Sequence, residues 1–141
     1  MTHVEQIIAE LCLATSDKLG AVSLNQLADY YRNGEDLRTL VPLLNHQNPE
    51  IVSGAAWIAA EVIDSQHGRE VFDELKQLLG HRDPGVRFSA ISSVAQLVTA
   101  DDRETLQQLL LLTGDENTGV RQQACRCIAG IPEKTLSGDK R

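Results

Sequence analysis

An all-α superhelix, a solenoid of three to four stacked helical hairpins, is the fold this sequence predicts. Three observations predict it. One ten-residue phrase occurs three times, as HQNPEIVSGA at 46–55, HRDPGVRFSA at 81–90 and DENTGVRQQA at 115–124. The copies are spaced 35 residues apart from Pro49 to Pro84 and 34 apart from Val86 to Val120, and a fixed period of this size marks stacked supersecondary units. Apolar residues recur at spacings of three and four on both sides of each copy, and the interior must be aliphatic, since aromatics are only 4% of the chain.

The elements follow in order. Val4, Ile7, Ile8 and Leu11 form one stripe and Leu24, Leu27 and Tyr31 another, so residues 1–33 read as a degenerate capping hairpin joined by a linker, TSDKLG, at 15–20. Three repeats follow, at 34–66, 67–99 and 100–132. Their first helices carry Leu37, Leu40, Leu43 and Leu44, then Phe72, Leu75, Leu78 and Leu79, then Leu106, Leu109 and Leu112. Their second helices carry Ile51, Ala55, Ile58 and Val62, then Val86, Ala90, Val94 and Leu97, then Val120, Ala124, Ile128 and Ile131. The repeated phrase is the corner between them. Asn48 before Pro49 and Asp83 before Pro84 supply a capping acceptor and a preset φ for a helix start, while Asn117 before Thr118 keeps the cap without the proline. Asn45, Gly80 and Gly114 stop the first helices. Residues 1–132 thus form one domain, and the tail EKTLSGDKR, 133–141, has lost the pattern and is expected to be flexible.

The run DPGVRFSAISSVAQL resembles the short HEAT repeats related to those of phycobilisome lyases, and the likeness extends over residues 35–131. In that family an Asp and an Arg tie neighbouring repeats, which implies a tie involving Asp83 with Arg87 and Asn117 with Arg121. The first repeat departs from the pattern at Asn48 and Val52. The resemblance also implies that the second helices line the concave side.

Chemistry is sparse. His3, His46, His67 and His81 stand in no metal-ligand spacing, and His46 and His81, one period apart, read as polar turn residues. Cys125 and Cys127 are two apart on a helix and diverge by about 200°. No phosphate loop, nucleophile elbow or Ser/His/Asp arrangement occurs, and the carboxylates at 34–36, Asp73 with Glu74, and Asp101 with Asp102 sit near helix starts, where they favour the helix dipole. Neither a catalytic residue, a metal site nor a cofactor is expected. Cys12, Cys125 and Cys127 make an odd count without paired spacings, as in a reducing compartment. The start MTHVEQIIAELCLA lacks a basic region before its apolar one, and no apolar run reaches a membrane span, so cytoplasmic localisation is expected.

What remains is a surface. Opposite the core stripe, the second helices present Glu50, Ser53, Trp57, Glu61 and Asp64, then Phe88, Ser92 and Gln96, then Gln122 and Arg126. Trp57 and Phe88 are large aromatics where the repeat needs none, which suits interface anchors; the other reading tucks each against a neighbouring repeat. Thirteen Lys and Arg face twenty Asp and Glu, a net charge of −7 that repels nucleic-acid backbones and attracts basic proteins. The expected function is a non-catalytic module binding a protein partner on its concave face, for instance a bacterial immunity protein or antitoxin masking a basic toxin such as a nuclease. The resemblance implies an alternative, a lyase-like or chaperone protein for a tetrapyrrole-bearing protein. A DNA-repair HEAT-like module is a second alternative, against which the charge and the lone Arg126 of the face argue.

Overall fold

The computed structural model describes residues 3–13, 17–62 and 68–137, and every regular element among them is helical. Helix α1 (His3–Leu13) and helix α2 (Asp17–Arg32) form the first hairpin. Helix α2 therefore takes up part of the stretch that the sequence suggested as a linker. Gly20 lies inside that helix. A 3-10 turn, Leu37–Leu40, runs into α3 (Val41–Leu44), followed by α4 (Pro49–Val62). The next pair is α5 (Phe72–Gln77), flanked by 3-10 turns at Gly68–Val71 and Leu78–Gly80, and α6 (Pro84–Leu97). The last is α7 (Arg103–Leu111), closed by the turn Leu112–Gly114, with α8 (Thr118–Ala129). Where a flexible tail was expected, Glu133–Ser137 forms a short helix, α9; Leu136 packs on the core and Arg103 donates to the carbonyls of Thr135 and Leu136.

Each corner repeats the same hydrogen bonds. The first corner residue accepts from the backbone N–H two positions on: His46 Nδ1 from Asn48, His81 Nδ1 from Asp83 and Asp115 Oδ1 from Asn117, at 2.9, 3.0 and 2.9 Å. The third caps the second helix: Asn48 accepts from Glu50 N, Asp83 from Val86 N and Asn117 from Val120 N. These bonds satisfy N–H groups that have no partner inside the helix. His46 and His81 are thus turn residues.

Helix α2 packs on α4, α4 on α6 and α6 on α8, so the second helices stack in series. Between them and the first helices runs one core, in which Leu27, Leu40, Leu43, Ile58, Leu75, Ile91 and Leu109 are fully buried. Ala55, Ala90 and Ala124 are buried as well, and their small side chains let paired helices approach closely.

Two chemistries hold the stack. Between α4 and α6 the links are neutral: Ser53 Oγ meets Ser89 Oγ at 2.8 Å, Ser93 Oγ donates to Ala56 O and Gln96 Nε2 to Ala60 O. Between α6 and α8 the Arg87 guanidinium grips both carboxylate oxygens of Asp115, at 3.1 and 3.0 Å, and Gln123 reaches Ser92. The inter-repeat tie therefore joins Arg87 to Asp115, not to Asp83, because Asp83 is committed to its cap; Asn117 is likewise a cap, and Arg121 bonds Asp115 O, Glu116 O and Thr118 Oγ1. Val52 stands in the first repeat where Arg87 stands in the second, and it is buried in the core.

Candidate functional site

The face of the second helices is where the sequence placed a binding surface. Trp57 on α4 is 42% exposed and Phe88 on α6 is 39% exposed, so both aromatic rings stand at the surface rather than inside the core. The fold does not require either: one repeat on, Trp57 corresponds to Ser92 and then to Arg126, while Phe88 corresponds to Ser53 and Gln122. Glu50, Gln122 and Arg126 are exposed beside them.

Other members of the predicted set have structural work. Ser53, Ser92 and Gln96 belong to the links between neighbouring second helices. Gln96 also donates to Ser92 O within its own helix. Glu61 bonds Arg32 Nη2 at 2.5 Å, tying α4 to α2. Asp64 lies outside the described residues.

A shallow groove of about 470 Å³ opens beside Trp57. Pro49, Glu50, Ser53, Gly54 and Trp57 form its α4 wall; Asp83, Gly85 and Ser89 form its α6 wall, and Asn25 of α2 closes one side. Its position explains its shape. Both helices begin there, and glycines on facing walls leave backbone where side chains would otherwise fill the space. Sequence reasoning named Glu50, Ser53 and Trp57 but missed Asp83, Gly85 and Ser89, which a 35-residue register would have aligned with Asn48, Glu50 and Gly54.

A second cavity, about 540 Å³, lies where α2 and α4 end, with Tyr31, Arg32, Glu35, Asp36, Glu61 and Glu70 on its walls. The chain leaves α2 through Gly34 at φ +102, a left-handed turn that suits glycine. Burial pushes the Tyr31 hydroxyl up to about 12 despite its bond to Thr39. The Arg38 side chain and backbone N–H hold the Asp36 carboxyl down at about 2. Asp36 caps the turn that follows, as its place at a helix start suggested.

Cys125 is exposed, and burial pushes the Cys127 thiol up, which keeps it a poor nucleophile. Among the described residues no three His, Cys, Asp or Glu side chains are grouped to hold a metal ion, and no helix is long and apolar enough to cross a membrane. The arrangement offers shape, aromatic area and negative charge.

Comparison with known proteins agrees with this architecture. The family described as HEAT repeats matches residues 37–129. Importin subunit alpha-3 of Arabidopsis thaliana is 28% identical over 105 residues, covering 63% of this chain and 20% of the importin. Importin subunit alpha-1b of Oryza sativa subsp. japonica is 29% identical over 105 residues, with the same coverage. The chain thus spans about a fifth of the length of these relatives.

Proposed function

The chain belongs to the HEAT-repeat family, and on that premise we propose that it is a non-catalytic module that binds a basic protein partner on the face of its second helices, anchored by Trp57. One observation carries the proposal: the only tryptophan of the chain stands 42% exposed on the wall of a groove, at a position the repeat elsewhere fills with serine or arginine. An exposed indole has a cost in water that a partner removes, and buried aromatics surrounded by polar groups dominate interface energetics.

The charge of the site defines the partner. Glu50 and Asp83 flank the groove, and the chain as a whole carries −7. Such a field speeds encounter with a basic surface and repels the phosphate backbone that a DNA-repair module must hold. A basic toxin, a nuclease for example, masked by an acidic immunity protein or antitoxin fits these terms. The HEAT-repeat family and the importin relatives support partner binding as the class of activity.

Because Trp57 is the only tryptophan, its fluorescence reports on the site directly. Titration with a lysine- and arginine-rich peptide should shift and quench the emission, with affinity falling as salt rises, while a glutamate-rich peptide of equal length should leave it unchanged. No response to the basic peptide, or an equal response to both, would overturn the proposal.

A further inference from the structure

Of the five asparagines in the chain, only Asn33 is followed by glycine, and the pair forms the end of α2. Gly34 takes a φ of +102, the one left-handed angle among the described residues, and a Cβ there would meet nothing within 4 Å. The backbone angle, not crowding, therefore calls for glycine. Gly34 N donates to Tyr31 O at 3.1 Å and Glu35 N to Tyr30 O at 3.2 Å, the two crossed bonds of a glycine C-cap. Asn33 is exposed, and its side chain completes the cap, Nδ2 donating to Asp29 O at 2.9 Å.

We propose that Asn33 and Gly34 are a site of self-modification, at which the asparagine converts to isoaspartate or aspartate and the end of α2 loosens. The Gly34 nitrogen, its proton lost to base, attacks the side-chain carbonyl carbon of Asn33. The N–Cγ bond forms, the Cγ–Nδ2 bond breaks, and the amide takes up a proton and leaves as ammonia. Water then opens the five-membered imide, at Cγ to give aspartate or at the main-chain carbonyl to give isoaspartate, so water is the only reagent consumed. Glycine leaves the approach of its nitrogen unhindered by a side chain. Both the attacking N–H and the leaving amide are tied in the cap, so reaction goes through an opened last turn of α2. The product cannot restore that turn. A carboxylate has no N–H for Asp29 O, its charge opposes the dipole at the C-terminal end of a helix, and isoaspartate lengthens the main chain by one atom. Arg32, the preceding residue, ties α2 to α4 through Glu61 at 2.5 Å, and the new carboxylate competes for it.

The test incubates the whole folded chain in mildly alkaline buffer and follows it by peptide mass spectrometry. Asn33 should gain the mass difference between amide and acid, while Asn25, Asn45 and Asn117, each followed by a larger residue, stay unchanged. A protease that cuts before aspartate but not before isoaspartate separates the two products. Denaturant should speed the conversion about tenfold or more, because it removes the cap. Hydrogen exchange in the last turn of α2 should be faster in the converted chain than in fresh chain. Asn33→Gln, whose longer side chain closes a ring only slowly, should show neither change. Conversion at Asn33 no faster than at Asn45 would overturn the site. Equal rates with and without denaturant would overturn the control by the cap, and conversion that leaves hydrogen exchange as it was would overturn the loosening.

Discussion

The seam between α4 and α6 and the seam between α6 and α8 join equivalent helices of adjacent repeats by different means. The second is clamped by the Arg87 and Asp115 pair, whose side chains are only 10% and 11% exposed, with further bonds from Arg87 to two carbonyls. The first has Val52 in place of the arginine and His81 in place of the aspartate, and relies on serine and glutamine bonds to hydroxyls and backbone. The first seam also opens the groove and carries Trp57. The comparison teaches that a repeat fold tolerates a neutral seam beside an ionic one, and it is the corner end of the neutral seam that opens as a groove.

The largest expected effect is at the clamp. Asp115→Ala should destabilise the protein by about 3 kcal/mol in chemical denaturation, because it leaves the Arg87 guanidinium enclosed without its counterion. A loss below about 1 kcal/mol would make the two seams energetically alike. The same pair predicts a response to acid. Burial raises the Asp115 carboxyl, but the Asn117 N–H and the Arg87 guanidinium outweigh it and hold the group below its usual 3.8. Burial acts likewise on Asp102, where Arg69 and Thr99 prevail. A depressed carboxyl stabilises the fold above its unfolded value, so stability should hold at neutral pH and fall progressively below about pH 4. Asp115→Asn should flatten part of that slope in melting curves taken from pH 6 to 2.

The remaining effects are smaller. Ala90→Leu should cost about 1 to 3 kcal/mol by overpacking, since Ala90 is fully buried where α6 meets its neighbours. An unchanged melting temperature would show slack in the core. Ser93→Ala, in the neutral seam, removes one buried hydroxyl bond to Ala56 O and should cost about 1 kcal/mol. A loss equal to that of Asp115→Ala would erase the distinction between the seams.

The repeat, its corners and its core stripes were legible in the sequence because capping chemistry and helical spacing are local. The partner of Arg87 was not, because Asp115 lies 28 residues away, in a corner whose first position holds histidine in the other two copies. At the two ends the helices run further than the pattern indicates: α2 begins at Asp17, ahead of Gly20, and α9 depends on packing by Leu136 and on Arg103. At the site, the exposure of Trp57 and Phe88 followed from helix phase. The roles of Ser53, Ser92 and Gln96 did not, since a small polar residue on a helix face becomes a link only when the neighbouring helix comes within hydrogen-bond reach. The cavity at Tyr31 joins three separate stretches of chain, beyond the reach of any local pattern.

The central claim, that the neutral seam binds and the ionic seam holds, is tested most directly by measuring affinity and melting together on Trp57→Ala. A partner captured from the native host by the wild-type chain serves as ligand, in surface plasmon resonance. The account predicts a loss of about 2 kcal/mol or more in binding, with a stability change of about 1 kcal/mol or less. Normal binding with a melting point many degrees lower would contradict it, and would make Trp57 a packing residue of the α4 and α6 seam.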